Sequence, residues 1–362
     1  MHKIVIVVLS AVAFFASCSR FDDSSLINFD YRTISDVHST NMIVQETLED
    51  ISFSKINNIF KDTLLITFLE DTFPFVFSVS NSQTDSLIGS FCPKGRSAEE
   101  PLSVIPFLDL YEENGSTTSL FFSYSNNRFF KWNISRSLEA GKTLYNKVIP
   151  VKVEDGSILP TVSYYSLPQG KIILQNTHQT LYSWMVEPTT YEIYDTKTGE
   201  REKQISPFAL YEGKETMGED GLFGSKMYLS LEDCIKPTRD KLAFGMMFIP
   251  YFAVLDINTG DITGIRLAKY PGLNPNRKFF HFVDVECNDD FIFALYCGGE
   301  TETFNSPEYS EIFIFDWDCL LKGKIKVVGA HQICLDGDII HLLNYETGKS
   351  YRLKLDEIKL SL

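Results

Sequence analysis

From about residue 51 to the C-terminus, apolar or aromatic residues alternate with polar ones in short runs, and no amphipathic helix of useful length interrupts them. A period of two, rich in Phe, Tyr, Ile and Val, predicts β-strands. Grouped by the turns between them, the runs fall into six units. The first predicts strands over 51–59, 64–69, 75–79 and 87–91, and the second over 105–111, 119–124, 129–134 and 143–150. The third reads 161–166, 171–176, 191–195 and 202–207, and the fourth 226–230, 241–248, 252–257 and 262–267. The fifth reads 279–287, 291–297, 312–317 and 324–328; the sixth has only three strands, at 331–335, 338–344 and 350–355.

The units are copies of one another. Tyr191-Glu-Ile-Tyr-Asp195 runs into Thr-Lys-Thr-Gly199, and Phe252-Ala-Val-Leu-Asp256 runs into Ile-Asn-Thr-Gly260. Ile312-Phe-Ile-Phe-Asp316 ends a third copy, and Asn133 holds the same place after Phe129-Phe-Lys-Trp132. From Asn133 to Asp195, Asp256 and Asp316 the steps are 62, 61 and 60 residues. Such a period marks a repeat architecture, and six four-stranded units around a channel make an all-β, six-bladed β-propeller. The strand missing from the sixth unit is expected from the N-terminus, over 26–34 or 42–48, which would close the ring and hide its edges. A β-sandwich or two stacked β-domains is the rival arrangement.

The start of the chain carries a different pattern. His2 and Lys3 precede an apolar stretch from Ile4 to Phe15 that is too short for the roughly 20 residues of a membrane span and suits a signal peptide. Ala16 and Ser17 then lead to Cys18, in the manner of a lipobox, with Phe15 where Leu is usual. The expected organisation is a signal peptide over 1–17, a lipidated tether over 18–25 and the propeller over 26–362. Cys18 is the expected lipid attachment, placing the chain in the cell envelope on the outer membrane, on its periplasmic or its surface side. The acidic pair Asp22–Asp23 resembles surface-export signals of Bacteroidetes lipoproteins; a merely solvated tether explains it as well.

Removal of Lys3 leaves 32 basic against 48 acidic residues. Phosphate recognition needs clustered Lys and Arg, so nucleic acid is excluded as a partner. Six cysteines remain besides Cys18, at 92, 234, 287, 297, 319 and 334. An oxidising compartment permits disulfides, but antiparallel pairing about the turn at 288–290 sets Cys297 opposite a residue near His281 rather than opposite Cys287, and free buried thiols are expected.

Catalytic motifs are missing. The sequence has no Gly-x-Ser-x-Gly elbow, no calcium loop and no phosphate cradle in 218–224. His331 and Cys334 have loose ligand spacing without a second pair to complete a zinc site. No metal and no cofactor are therefore expected. His281 and His341 fall inside strand patterns, as core or channel-lining residues. Asp195, Asp256 and Asp316 sit where a side chain would hydrogen-bond the following turn. In a propeller the second-to-third-strand loops and the blade-to-blade loops share one face, and the long connections 91–101, 267–278 and 298–311 all fall there. They carry Lys94, Arg96, Arg277 and Lys278, candidates for an anion- or partner-binding patch, with scattered solubilising charge as the plainer account. A non-enzymatic binding or scaffold role, with a protein or glycan partner, leads. A carbohydrate-active or other hydrolase, with two carboxylates converging at the channel mouth, is the alternative.

One stretch carries a family resemblance. His281-Phe-Val-Asp-Val, Asp290-Phe-Ile-Phe-Ala-Leu-Tyr-Cys-Gly298 and Ile312-Phe-Ile-Phe-Asp-Trp-Asp318 resemble the TolB-like six-bladed propeller lipoproteins of Bacteroidetes. Pro93-Lys-Gly-Arg-Ser-Ala-Glu-Glu100 is similar to the Gly-Arg-Gly-Pro-type turn and following Glu of that family, with Ser97 and Ala98 in place of the Gly-Pro. The resemblance implies a fold and an address, and brings no established activity with it.

Overall fold

In the computed structural model each unit folds as an antiparallel meander. The structure describes residues 23–35, 39–41, 45–46, 58–61, 64–69, 73–81, 84, 86–97, 99–152, 159, 161–177, 189–209, 230–270, 272, 279–300, 309–344, 347 and 349–358. Blade I comprises Asn58–Lys61, Leu64–Phe68, Phe75–Asn81 and Leu87–Pro93, and blade II Asp109–Glu113, Ser116–Ser123, Arg128–Asn133 and Tyr145–Pro150. Blade III comprises Thr161–Leu167, Lys171–Asn176, Thr190–Asp195 and Arg201–Ile205, and blade IV Leu231–Ile235, Lys241–Met246, Tyr251–Asp256 and Ile262–Leu267. Blade V holds Phe279–Cys287, Phe291–Glu300, Tyr309–Asp316 and Leu321–Val328; blade VI holds Gln332–Asp336, Ile339–Asn344 and Lys349–Lys354. The six small sheets stand in a ring, a six-bladed β-propeller.

The middle strands of each blade are covered on both faces, so they lose the polar half of the alternation. Ile172-Ile173-Leu174, Phe252 to Leu255 and Ile312 to Phe315 are buried without a break. Aromatic rings fill the seams between blades. Trp132 stacks on Phe77 between blades I and II at 5.1 Å. Phe107 meets Tyr164 and Tyr165 edge-on between blades II and III, and Phe252 stacks on Phe315 between blades IV and V at 4.2 Å. Each such ring contributes about 1.5–3 kcal/mol by burial, and a well-placed pair about 0.5–1.5 kcal/mol more.

Several strand boundaries move by a few residues from the sequence reading, and three departures have a local reason. The inner strand of blade II begins at Asp109 rather than 105, because Pro106 has no N–H to continue the ladder that Ile105 starts by donating to the Phe122 carbonyl. The inner strand of blade IV is Leu231–Ile235 rather than 226–230. Its adjacent Glu232 and Asp233 break the alternation that identifies a strand, and 226–229 lie outside the described residues. After Asn133 the chain turns into a short helix, Ile134–Ala140, capped by the Asn133 side chain, which accepts the Arg136 N–H at 3.0 Å. A helix of two turns is too brief to register as a period.

The N-terminal segment does more than close the ring. Gln45–Glu46 supplies the missing outer strand of blade VI, pairing with Tyr351 and Arg352, inside the expected 42–48 window. Asp30–Ile34 instead adds a fifth, parallel strand to blade IV, and Ser39–Asn41 does the same for blade V. The first stretch lies close because residue 264 is glycine: a Cβ there would stand 2.2 Å from the Phe29 ring, which packs edge-on to Phe244. Upstream, Asp23 is buried and accepts from the Tyr251 hydroxyl at 3.1 Å and from Arg266 at 3.3 Å, while Leu26 enters the core.

A mature chain lacking residues up to 48 should therefore expose the outer edges of three blades at once. We expect it to unfold as a whole at a midpoint at least 10 °C lower, or to aggregate. Circular dichroism melts of the two chains check this, and superimposable curves would refute the belt.

Candidate functional site

An inner strand pairs on one side only, so its other edge presents N–H groups that need acceptors. In this ring aspartates on neighbouring inner strands supply them. Asp109 of blade II accepts the Ser166 N–H of blade III at 2.7 Å, and Asp284 of blade V accepts the Ile333 N–H of blade VI at 2.7 Å. Asp233 of blade IV binds blade III through side chains. It accepts from Ser163 Oγ at 2.8 Å, Tyr165 OH at 2.8 Å, Tyr191 OH at 2.9 Å and Gln175 Nε2 at 3.2 Å. Arg239, in the turn after the inner strand of blade IV, reaches past blade III. Its Nη1 donates to both Asp109 oxygens at 2.7 and 2.8 Å, and its Nη2 to the Leu110 carbonyl at 3.1 Å.

These strands enclose a central channel of about 1170 Å³. Among the further carboxyls that line it, Glu232 of blade IV and Glu286 of blade V are buried and have no hydrogen-bond or ion-pair partner among the described residues, whereas Glu112 and Glu113 accept from Thr117 and Lys131. Burial, then the charges of Asp284 and Asp233, push the Glu232 carboxyl well above the ordinary glutamate range. Burial and Asp284 do the same to Glu286. Asp284 itself is pushed up to about 7 by burial, against the pull of the Ile333 and Val285 N–H groups. Burial also raises Asp109, with Arg239 opposing it. Burial thus favours the protonated form of these carboxyls, and the one arginine among the lining residues is committed to Asp109.

The residues singled out from the sequence lie elsewhere. Asp195, Asp256 and Asp316 end third strands and cap the turns that follow: Asp256 Oδ1 accepts the Asn258 and Thr259 N–H groups at 2.9 and 3.0 Å, and Asp316 Oδ1 those of Asp318 and Leu320 at 3.0 and 2.8 Å. Gly199 and Gly260 complete two of these turns with φ of 70° and 87°, a conformation open to glycine without strain. His281 is buried with its Nδ1 3.2 Å from the Tyr296 hydroxyl. His341 is buried too, and burial followed by the Arg352 charge holds it down at about 4. Cys297 lies in the register shift between the pairs Phe280–Gly299 and Phe282–Tyr296, level with His281.

Lys94 and Arg96 stand in the loop after blade I, on the face of the long connections, where Glu100 folds back to accept the Ser97 N–H. Arg277, Lys278 and Cys18 lie outside the described residues, so the proposed patch is not assembled here. Among the described residues no group of three or more His, Cys, Asp or Glu side chains could hold a metal ion, and no helix is long and apolar enough to cross a membrane. The channel carboxyls escaped the sequence reading, although a signal existed: Leu108-Asp-Leu, Leu231-Glu-Asp-Cys-Ile235 and Phe282-Val-Asp-Val285 put acid inside apolar strands, where an unpaired charge is expensive.

The architecture is that of a propeller whose polar interior is its axial channel. By shape the chain is similar to a member of the DUF4221 family from Bacteroides vulgatus, with a TM-score of 0.53 and 10% identity over 91% of this chain and 98% of that one. It is also similar to a protein from Bacteroides fragilis described as exported, with a TM-score of 0.51 and 10% identity over 86% and 88% of the two chains. Identities this low bear on the fold alone. No family model matches the sequence, and no curated protein matches it either.

The raised carboxyls set a pH dependence of stability. A carboxyl that prefers its proton in the fold costs nothing below its unfolded value, 4.5 for Glu286, and its cost grows as pH rises through that value to the folded one. Glu286→Gln removes the ionisation and no hydrogen bond. We expect the melting temperature to rise by about 2–4 °C at pH 8 and to stay unchanged at pH 4. An equal gain at both pH values would place the effect in packing.

Proposed function

We propose that the chain is an exported lipoprotein, anchored in the outer membrane through Cys18, that binds a small cationic ligand in its channel without transforming it. One observation carries the ligand: Glu232 and Glu286 face the cavity from adjacent blades and have no partner among the described residues, whereas Asp109, Asp233 and Asp284 are engaged in the seams. Carboxyls with no structural bond to make are free for an amine, and a cation would displace the protons they hold. The apolar stretch Ile4 to Phe15 leading to Ala16-Ser17-Cys18 supports an envelope address, and the fifth-blade motifs support a place among the TolB-like propeller lipoproteins. Lys94, Arg96, Arg277 and Lys278 remain the candidates for a partner patch on the long-loop face.

Calorimetric titration with glucosamine, with glucose as the neutral control, tests the ligand. Glucosamine should bind more tightly at pH 7, where its amine is still largely protonated, than at pH 5 and lose at least tenfold in affinity in the double variant Glu232→Gln, Glu286→Gln. Equal binding of glucose would overturn the charge reading. A hydrolase is the second reading, favoured by Asp284, which is held at about 7 as a general acid must be. Turnover of nitrophenyl glycosides, abolished in the same double variant, would establish it over simple binding.

The anchor has its own test. Cys18→Ala should leave the propeller's melting temperature unchanged, take up no labelled fatty acid and release the domain from the membrane fraction or trap it as precursor. Labelling that persists would show the lipobox reading to be mistaken.

A further inference from the structure

Alternating strand directions fix which residues reach each face of the ring. The second-to-third-strand connections, the blade-to-blade connections and the starts of first and third strands all meet on the long-loop face. Eight large apolar side chains are conspicuously exposed among the described residues, and five belong there: Phe73, Leu102, Tyr124, Val162 and Tyr309, each 38–49% exposed. They come from blades I, II, III and V, so they are spread around the ring. Leu87, Ile88 and Leu320 lie toward the opposite face. Lys326 stands 3.8 Å over the Tyr309 ring, and Lys94 and Arg96 belong to the same side.

The N-terminal segment docks on that face as well. Asp23 is held by Tyr251, at the start of a third strand, and by Arg266, at the end of a fourth; a Cβ on Gly272, in the following connection, would touch its carboxylate. Only five residue steps separate Asp23 from Cys18, at most about 18 Å of chain. A blade strand of six residues is itself about 20 Å long. A lipid on Cys18 therefore cannot reach a bilayer lying against the opposite face.

We infer that the long-loop face of the propeller lies on the membrane, with Phe73, Leu102, Tyr124 and Tyr309 in the headgroup layer and Lys94, Arg96 and Lys326 against its phosphates. The inference rests on lipidation at Cys18. Aromatic and apolar tips with basic neighbours are the side chains that interfaces take up, and one acyl anchor gains much from a second point of contact. The basic residues matter more than usual because the chain as a whole carries a net charge of −15, which an anionic surface repels.

The test uses the mature lipidated protein on nanodiscs of phosphatidylethanolamine and phosphatidylglycerol, free of other proteins. Mass analysis of the N-terminal peptide first reads the acyl chains. Hydrogen–deuterium exchange, compared with the unlipidated Cys18→Ala chain in buffer, should then slow at least fivefold around Phe73, Leu102, Tyr124 and Tyr309. It should not change in the turns at 196–200, 257–261 and 317–320. Replacing Phe73, Leu102 and Tyr124 by Ser, all exposed and tolerable to the fold, should cancel the slowing while the acyl chains keep the protein bound. Absence of acyl mass overturns the anchor and this inference together. Acylated protein with no difference between the two faces overturns this inference alone. Slowing that appears only when outer-membrane proteins are added names a protein as the occupant and likewise overturns it.

Discussion

Every inner strand of the ring has a free edge, and its N–H groups point where no fifth strand can pair with them. Water in the channel could satisfy some of them, but the seams between blades are narrow and mostly apolar. The chain meets the demand with carboxylates: Asp109 takes the Ser166 N–H, and Asp284 takes the Ile333 N–H. Asp233 joins the same seam system through four donors on blade III. A hydrogen bond to a charged acceptor contributes about 1.5–3 kcal/mol, and each of these also fixes one blade against the next. Burying the carboxylates is costly in turn, which is why Asp284 is pushed up to about 7. The acidity of the channel is thus first a consequence of joining blades. Arg239 offsets part of it, and reaches from blade IV to blade II to do so.

That account leaves Glu232 and Glu286 unexplained by structure. Neither joins a seam, both keep their carboxyls toward the cavity, and each suffers from the aspartates that do join seams. A fold gains nothing by keeping two strained acids in its centre, and local cost without structural return is what functional positions show. Burial alone would group Glu232 and Glu286 with the three seam aspartates, and their lack of a partner among the described residues separates them. A mere count of acidic residues around the channel would mislead, since Asp109, Asp233 and Asp284 belong to the scaffold.

The fold was largely legible in the sequence because propellers repeat. The steps between Asn133, Asp195, Asp256 and Asp316 reflect one capping position used four times. In blades III to V the capping Asp fixes the turn that follows, and in blade II Asn133 performs the same capping at the start of a helix. The three-stranded last unit announced that the N-terminus must return, and Gln45–Glu46 does. What local pattern could not reveal was the parallel pairing of Asp30–Ile34 and Ser39–Asn41 with blades IV and V, since nothing in a strand's own residues names a partner two hundred or more positions away. The site was less legible for a related reason. Glu232-Asp233 broke the alternation that marks a strand, so the chemistry concealed the element that carries it. The basic loop residues stood out as charges on an acidic chain, but nothing brings Lys94 and Arg96 to the channel.

The belt and the channel are connected through the position of Asp23. The segment that covers the outer edges of blades IV, V and VI starts from an anchor on the long-loop face, where Tyr251 and Arg266 hold it. Pulling on the N-terminus therefore loads blade IV first, the blade that carries Glu232, Asp233 and Arg239. A membrane on the long-loop face would leave the opposite mouth to solvent, ringed by the short turns of Pro168, Pro237, Asp289 and Gly337. Arg239 stands in one of those turns and reaches across to Asp109. Side chains cap these turns as well: Asn288 Oδ1 accepts the Asp290 and Phe291 N–H groups at 3.0 and 2.7 Å. The two faces of the ring thus differ in chemistry: exposed apolar and basic side chains gather on one, and short turns close the other.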